Sequence, residues 1–299
     1  MKYIVPAAFA MASVLLLGCA DSTKTPPQTA HQRIVTVGAA ITETVYALGM
    51  EQHLVGRDQT SLWPHAASDL PNVGYPRALA LEGILSLTPD LLVVSHDAGP
   101  PHVISGLKNA GVNVLTVTTG PDWEHAKAGI RQIGVQLERE VQAMAILAHA
   151  DQGIGRVAEV PSSAGGEHSR LLFLLAEGPS GWLAAGADTR ADTLINAVQG
   201  ENVMAASSGY RPLSAEAILA LSPDAILVAS HALVDQHSGA EKSLQNALID
   251  AGLDVVPAVK NGQTFALDSG KFLTLGPRFG EAVSELSALL EPKAVAVSD

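Results

Sequence analysis

The side chains best suited to chemistry are scattered along this chain and form no familiar catalytic motif. Its ten histidines stand at positions 31, 53, 65, 96, 102, 125, 149, 168, 231 and 237, without the helical i, i+4 pair typical of a zinc site. The nucleophile elbow G-x-S-x-G, the phosphate-binding P-loop and the H-E-x-x-H motif are missing too. These absences argue against the common hydrolases and P-loop enzymes. An enzyme site assembled from distant residues, around a histidine such as His96 or His231, stays open.

One loop, residues 72–77 (NVGYPR), places the phenol of Tyr75 and the guanidinium of Arg77 two positions apart. The spacing alone does not separate a ligand-binding role from a loop tyrosine that packs the edge of its ring. The elements around this loop, and a repeat that begins at Arg77, therefore decide how it is interpreted.

That repeat is a segment that occurs twice, at a constant offset of 134 residues. Residues 77–94 read RALALEGILSLTPDLLVV and residues 211–228 read RPLSAEAILALSPDAILV, with nine of eighteen positions identical. The identical pairs include Arg77 with Arg211 and Glu82 with Glu216. A copy spaced nearly half a chain apart is not a short-period solenoid. It indicates two similar lobes with a cleft between them.

Each copy predicts a helix that ends at a proline and then a buried strand. The helices, 80–87 and 215–221, stop before Pro89 and Pro223, and the apolar runs 91–94 and 226–228 are typical of parallel strands. Further strands are predicted at 33–38, 53–56, 113–117, 170–175 and 254–256, and further helices at 101–110 and 244–251. This alternation predicts an α/β fold of two Rossmann-like lobes with parallel sheets.

The lobes are predicted to span residues 33–121 and 161–299. Residues 122–159 between them lack proline and carry apolar residues near helical spacing, which predicts that one long helix over 122–160 joins the lobes. Ligands of parallel sheets sit beyond the carboxyl ends of the strands. The ligand cleft is therefore expected between the lobes, at those ends.

The N-terminus is a targeting segment. A short apolar run after Lys2 ends in Leu16-Leu17-Gly18-Cys19, which resembles a bacterial lipobox. It predicts a signal peptide over 1–18, lipid attachment at Cys19, a polar tether over 19–32, and localisation in the periplasm or cell envelope. An ordinary secretory signal is the alternative. Cys19 is the only cysteine, which rules out an intrachain disulfide, and a net charge of −12 without a basic block argues against nucleic-acid binding.

Five stretches of the chain resemble the periplasmic haem-binding proteins of bacterial ABC haem importers, which belong to the helical-backbone class of solute-binding proteins. They are RIVTVGAAITETVYALG (33–49), VGRDQTSLWP (55–64), LPNVGYPRALALEGILSLTPDLLV (70–93), LAAGADTRADTLI (183–195) and YRPLSAEAILALSPDAILV (210–228). Together they span most of the mature chain. The resemblance implies a protein that performs no reaction, binds haem as its transported ligand in the interlobe cleft and delivers it to a permease.

In that family the tyrosine of the corresponding loop ligates the haem iron, which implies this role for Tyr75. A free phenol has a pKa of about 10, but a ferric ion favours the deprotonated form, and tyrosinate is a known haem ligand. Arg77 matches the family's arginine beside the ligand, and its charge would stabilise the phenolate. A corrinoid or a ferric siderophore is the alternative ligand, against which the pairing of Tyr75 with Arg77 argues.

Some family members hold two stacked haems through a second ligand, a histidine after the first strand of the second lobe. Glu177 stands there in this chain, which argues against two haems bound through that position. Trp182 is expected to offer a flat apolar wall instead, and His96 an alternative distal ligand. Arg211 or Arg190 is expected to pair with the haem propionates, since carboxylates suit a bidentate arginine.

In the wider class an acidic residue on each lobe docks onto arginines of the permease. Glu82 and Glu216, equivalent in the repeat, are expected to dock onto a two-fold permease dimer; solvated helix glutamates are the simpler alternative. The expected partners are haem, that dimer, and the membrane only through the lipid anchor, with the protein itself a monomer. Tyr210 lies one residue before Arg211, not two, and is expected to be an ordinary loop residue.

Overall fold

Two β-sheets, each covered by helices, form the frame of the molecule. The computed structural model describes Met1 and residues 33–159, 169–178, 181–233 and 243–291. The described residues from 33 onward pack as one unit, within which each sheet forms a lobe. Cys19 and the predicted tether lie outside the described residues.

The first sheet is parallel throughout. In spatial order its strands are β2 (Leu54–Arg57), β1 (Ile34–Val37), β3 (Leu91–Ser95) and β4 (Asn113–Val117). Strands β1 and β3 are fully buried, as expected where helices cover both faces of a sheet. Val93 packs with α1 (Ala39–Ala47) on one face, whereas Leu92 packs with α2 (Leu81–Leu85) and α3 (Pro101–Asn109) on the other.

The second sheet is mixed, which corrects the prediction of parallel sheets in both lobes. Its spatial order is β10 (Thr264–Leu267), β9 (Ala225–Ala229), β5 (Arg170–Gly178), β6 (Gly181–Ala185) and β8 (Tyr210–Leu213), and β7 (Glu201–Asn202) also pairs with β5. The pairs β10–β9, β9–β5 and β5–β7 are parallel, but β6 is antiparallel to both β5 and β8. The short connection from β5 to β6 permits a hairpin, whereas a parallel crossover needs a dozen or more residues.

Six helices of the described second lobe surround this sheet. They are α6 (Arg190–Ala197), α7 (Ala215–Leu221), α8 (Leu244–Asp250), α9 (Pro257–Lys260), α10 (Ser269–Phe272) and α11 (Phe279–Leu290). The strand predicted at 254–256 is wrong, because those residues form a turn between α8 and α9. Leu253 and Val256 are fully buried in that turn, which explains the apolar pattern. Across the described residues, no helix is both long and apolar enough to cross a bilayer.

Two helices, not one, connect the lobes. The structure separates α4 (Trp123–Gln136) from α5 (Glu140–Ala158) at Glu138, whose φ of 53° is left-handed and incompatible with a continuous α-helix. Helix α5 nevertheless belongs to both lobes, because its Leu147 lies in the core of the first lobe and its Val157 in the core of the second. The prediction of a single long connector is therefore wrong.

Helix α5 also makes a close backbone contact with α11. A Cβ atom added at Gly280 would lie 2.4 Å from the carbonyl oxygen of Ala150, and one added at Gly153 would lie 2.8 Å from the carbonyl oxygen of Gly280. Glycine is therefore required on both sides of this crossing. The contact fixes the start of α11, and with it the residue before that helix, Arg278.

The repeated segment makes the same backbone connection in both lobes. The carboxylate of Asp90 accepts the backbone N–H of Arg33 at 3.3 Å, and that of Asp224 accepts the backbone N–H of Arg170 at 2.8 Å. In return, the N–H of each aspartate donates to the carbonyl oxygen of the same arginine. The shared Pro-Asp pair therefore ties the end of a helix to the first strand of its lobe.

Candidate ligand-binding cleft

The loop that carries Tyr75 follows β2 and is hydrogen-bonded to the edge of the first sheet. Gly74 has a φ of 102°, a conformation that favours glycine, and its N–H donates to the Asn72 side chain at 2.9 Å. Its carbonyl oxygen accepts the N–H of Gln59 at 2.8 Å, and a turn closes from the carbonyl oxygen of Tyr75 to the N–H of Ala78 at 2.9 Å. The backbone of this loop is thus well fixed, while the Tyr75 side chain remains 44% exposed.

Arg77 joins Tyr75 to the loop that follows β3. Its guanidinium donates to the phenolic oxygen of Tyr75 at 3.3 Å through Nη1 and to the carboxylate of Asp97 at 3.0 Å through Nη2. The hydrogen bond to Asp97 is the largest of the effects that raise the pKa of Arg77. The arrangement places a positive charge beside the phenolic oxygen.

Asp97 is the third member of this group, and sequence reasoning missed it. Burial alone would raise the pKa of its carboxyl group, but hydrogen bonds from Ser95 and Arg77 outweigh burial and lower that pKa below its usual value. Asp97 therefore stays ionised near neutral pH and orients the arginine. Its position two residues after the buried parallel strand β3 was the available signal.

His96 also follows β3, and its exposed ring is held by the loop after β4. Its Nδ1 lies 2.8 Å from the Thr119 hydroxyl and accepts the Thr119 backbone N–H at 3.4 Å. Because an amide N–H can only donate, the neutral ring carries its proton on Nε2. This tautomer suits donation of a hydrogen bond to a ligand oxygen rather than ligation of a metal.

The second lobe presents His231 at the corresponding point of its sheet, two residues after β9. The ring Nδ1 lies 2.6 Å from the Ser269 hydroxyl, and burial lowers the pKa of His231, which favours the neutral ring. At the repeat offset, His231 occupies the place of Asp97. The second lobe therefore has an imidazole where the first has the carboxylate that orients Arg77.

Tyr210 lies on a strand, which corrects the prediction of a loop residue. It begins β8 and pairs with Ala185 of β6, and Arg211 pairs with Ala184. Burial is the main cause of a raised pKa at Tyr210, which the charge of Arg190 partly offsets. The phenol of Tyr210 is thus harder to ionise than a free phenol.

Trp182 lies in the core of the second lobe and not on an open wall. Its side chain is 2% exposed, and its indole Nε1 has no hydrogen-bond partner among the described residues. The residue packs on β6 with apolar side chains such as Leu172 and Met204. Its backbone partner across the β5–β6 hairpin is Glu177.

A small pocket opens where the two lobes meet. The first lobe lines it with α1, α4 and the residues after β4, including Thr44 and Thr119, and the second lobe lines it with Arg190 and Leu275. Arg190 therefore contributes a positive charge to the pocket between the lobes. Tyr75 and Arg211 lie outside this lining.

A buried ion pair connects the lobes, and sequence reasoning missed it as well. Arg278 of the second lobe donates through Nε and Nη2 to the carboxylate of Glu43 on α1, at 3.1 and 2.6 Å. Its guanidinium carbon also lies 4.4 Å from the ring centroid of Trp63, within the range of a cation–π contact. Burial is the main cause of a raised pKa at Glu43, against the lowering effect of Arg278.

The two glutamates of the repeat occupy equivalent exposed positions. Glu82 and Glu216 lie in the first turns of α2 and α7. A hydrogen bond from the Ser214 hydroxyl lowers the pKa of Glu216. Within the described ranges, no group of three or more His, Cys, Asp or Glu residues could hold a bare metal ion.

A family model, that of the periplasmic binding proteins, matches residues 34–270. This chain belongs to the periplasmic binding protein family. Its members are substrate-binding transport proteins, so the expectation that the chain is not an enzyme is confirmed, and the alternative of a catalytic His96 or His231 is wrong. Membership also implies a small-molecule ligand and a permease partner.

Solved structures of related proteins agree with this assignment and with the two-lobe fold. The periplasmic haem-binding protein BhuT, in complex with two haems, is 35% identical with a TM-score of 0.75 over 86% of this chain and 97% of its own. A periplasmic haem-binding protein from Pseudomonas aeruginosa is 34% identical with a TM-score of 0.76 over 86% of this chain and 91% of its own. A curated relative, the vitamin B12-binding protein of Vibrio parahaemolyticus, is 23% identical over 85% of this chain and 88% of its own length.

Proposed function

We propose that this protein binds haem between its lobes through Tyr75 and delivers it to an ABC permease for haem and iron uptake. The observation that carries the proposal is the triad of Tyr75, Arg77 and Asp97. An exposed phenol is held 3.3 Å from a guanidinium, which is itself anchored at 3.0 Å by a carboxylate. A ferric iron bound to the oxygen of Tyr75 would favour the deprotonated phenol.

The triad favours haem over the other ligands of the class. A phenolate oxygen is an established axial donor to ferric haem, and the haem-binding structures are the more similar relatives, at 34–35% identity. A corrinoid is the second candidate, because a vitamin B12-binding protein is also a relative, at 23% identity. A ferric siderophore, which fills the coordination sphere of its iron, would leave Tyr75 without a role as a ligand.

Other polar groups of the two lobes would recognise the rest of the macrocycle. Arg190, which lines the interlobe pocket, would pair with a propionate, and Arg211 is exposed on β8 for the same purpose. His96 would donate a hydrogen bond from Nε2 rather than ligate iron. One haem per chain is expected, because Glu177 replaces the histidine that holds a second haem in some members of the resembled group.

The remaining assignments concern delivery. Lipid attachment at Cys19 would hold the protein at the membrane in the periplasm, and Glu82 and Glu216 would dock onto a two-fold permease. Both glutamates are exposed on short helices in equivalent places, as a symmetric contact requires.

A hemin titration tests the proposal. The protein is mixed with hemin, with cyanocobalamin, and with a ferric hydroxamate siderophore, and binding is followed by absorption and by quenching of tryptophan fluorescence. We expect saturable binding of hemin alone, with a tyrosinate charge-transfer band that is absent in Tyr75→Phe. Tyr210→Phe, a change of the same kind in the other lobe, is the matched control and should bind hemin normally.

Two results would overturn the assignment of the ligand. No binding at micromolar hemin together with tight binding of cyanocobalamin would place the protein with the corrinoid carriers. Hemin binding that is unchanged in Tyr75→Phe would show that a different residue ligates the iron.

A further inference from the structure

We propose that Arg278 is an interlobe clamp that holds the two lobes at a fixed angle and sets the position of the Tyr75 loop. Arg278 touches neither Tyr75 nor Arg77 in the described contacts, so it is a positioning residue. The part of the proposal that concerns the lobes stands by itself. The part that concerns Tyr75 rests on the proposed function.

The clamp is built from contacts on both sides of the lobe boundary. On its own lobe, Arg278 donates to the carbonyl oxygen of Gly270 at 3.1 Å, and the contact of α11 with α5 fixes the backbone beside it. On the first lobe it makes the bidentate pair with Glu43 and covers the ring of Trp63. One side chain therefore holds α1 and the loop after β2 against the second lobe.

The charge of Arg278 is paired with that of Glu43, which distinguishes it from a ligand-binding arginine. Glu43 is 4% exposed and the side chain of Arg278 is 14% exposed. Nε and Nη2 donate to Glu43 and Gly270, and Trp63 lies against the guanidinium, so only Nη1 is left for another partner. This arginine therefore serves the protein's own geometry rather than recognition of an anionic ligand.

A buried polar network continues from the clamp toward Tyr75. Thr42, next to Glu43 on α1, donates to the Ser61 hydroxyl at 2.7 Å, and Ser61 in turn donates to the fully buried carboxylate of Asp58. The carboxylate of Asp58 also accepts the N–H of Gly38 at 2.8 Å, the N–H of Thr60 at 2.8 Å and the hydroxyl of Thr60 at 2.5 Å.

The last step of this network reaches the ligand loop itself. Gln59, beside Asp58, donates its N–H to the carbonyl oxygen of Gly74 at 2.8 Å, and Tyr75 is the next residue. Trp63, the other contact of the clamp, lies in the same loop as Asp58 and Gln59. A shift of α1 relative to the second lobe would therefore move the backbone that presents the phenol.

The first experiment measures the clamp without any ligand. Spin labels are placed at Ser86→Cys and Ala220→Cys, which are exposed and equivalent in the repeat, in a chain that also carries Cys19→Ser. We expect a narrow distance distribution between the labels that broadens in Arg278→Ala. Arg278→Lys, which keeps the charge but loses the bidentate fork, should broaden it less. Lys271→Ala is the matched control, because its ion pair with Glu285 lies within the second lobe.

The second experiment measures the effect on the ligand loop. Hemin dissociation is followed by transfer to excess apomyoglobin, and we expect Arg278→Ala to accelerate it about tenfold, the size typical of a group that orients a metal ligand. The acceleration should disappear in a Tyr75→Phe background, because a positioning residue has no effect once its target is removed.

Each outcome decides one part of the proposal. An unchanged label distribution in both Arg278 variants, or equal broadening in Lys271→Ala, would overturn the clamp. An acceleration that persists in Tyr75→Phe would overturn the coupling to Tyr75. If hemin does not bind at all, the proposed function fails while the label experiment still decides the clamp.

Discussion

The two lobes contain nearly the same four residues, but these lie in a loop in the first lobe and on a strand in the second. The first lobe has Gly74-Tyr75-Pro76-Arg77 in a free loop, and the second has Gly209-Tyr210-Arg211-Pro212 at the start of β8. Both glycines have positive φ. The difference comes from the neighbours. Strand β6 pairs with Tyr210 and Arg211, whereas the bridge of the first-lobe loop to β2 is at Asn72, before Tyr75.

Sheet pairing therefore distinguishes the environments of the two tyrosines. Tyr210 is held in a ladder and burial raises its pKa, so its phenol is a poor source of phenolate. Tyr75 has a fixed backbone, an exposed ring and an arginine at its oxygen. Although the two lobes share the repeat, the contrast between their tyrosines predicts that only the first lobe supplies a ligand to the iron.

Removal of the phenol should have the most different effects on hemin binding in the two lobes. Tyr75→Ala should abolish the tyrosinate spectrum and weaken hemin binding by more than the about 10- to 100-fold loss typical of a group that only orients a metal ligand. Tyr210→Ala should leave the hemin affinity within about a factor of two of the wild type, since Tyr210 lies outside the lining of the interlobe pocket and changes away from a site have small effects. Equal losses in the two variants would mean that both lobes supply a ligand.

Breaking the contact between the lobes should have the largest effect on stability. Arg278→Ala leaves the carboxylate of Glu43 buried without its partner, which should cost about 3–5 kcal/mol of the free energy of unfolding. Urea denaturation measures it, with Lys271→Ala as the control for loss of an ion pair within one lobe. A loss below about 1 kcal/mol, the value of a surface pair, would contradict the burial of the pair.

The pH dependence of Arg278→Ala follows from Glu43. Burial raises the pKa of Glu43 in the folded state, with Asp268 and Glu281 adding to the effect. A group whose pKa is raised on folding contributes stability below its unfolded pKa, and this contribution is lost as the pH rises through the folded value. The variant should therefore be closer to wild type at pH 5 than at pH 8. A deficit that does not grow with pH would assign the effect to lost packing instead.

Arg77 and Arg211, which are equivalent in the repeat, are expected to contribute unequally to hemin affinity. Arg77→Ala removes the hydrogen bond to the Tyr75 oxygen and should weaken hemin binding about 10- to 100-fold. Arg211→Ala, at the equivalent place in the repeat, should have a smaller effect that comes from a propionate contact alone. A hemin titration of both variants separates the two roles, and a reversal of their order would place the main contact in the second lobe.

Sequence reasoning found the features that depend on local pattern. The helices and strands of the repeat and the loop of Tyr75 follow from apolar runs, prolines and glycines. It missed features that depend on neighbours distant in the chain. The strand position of Tyr210 needs β6, the burial of Trp182 needs the core of the second lobe, and the pair of Glu43 with Arg278 spans 235 positions.

The break between α4 and α5 was missed for a different reason. Apolar spacing continues from Ile130 to Leu147, so the helical pattern gives no signal of an end. The left-handed residue there is Glu138, not the glycine or asparagine that usually marks a helix end. Tertiary packing imposes the break, because both helices must place apolar side chains in the first-lobe core.

The smallest expected effect is on stability, at the two equivalent aspartates of the repeat. Asp90→Ala and Asp224→Ala each remove one carboxylate that accepts a backbone N–H, at 3.3 and 2.8 Å. Each should lower the free energy of unfolding by about 1–2 kcal/mol and leave hemin affinity unchanged, because neither aspartate lies at a carboxyl end of its sheet. Urea denaturation beside a hemin titration checks both. A loss of hemin affinity in only one variant would show that even this common part of the repeat has diverged in its role.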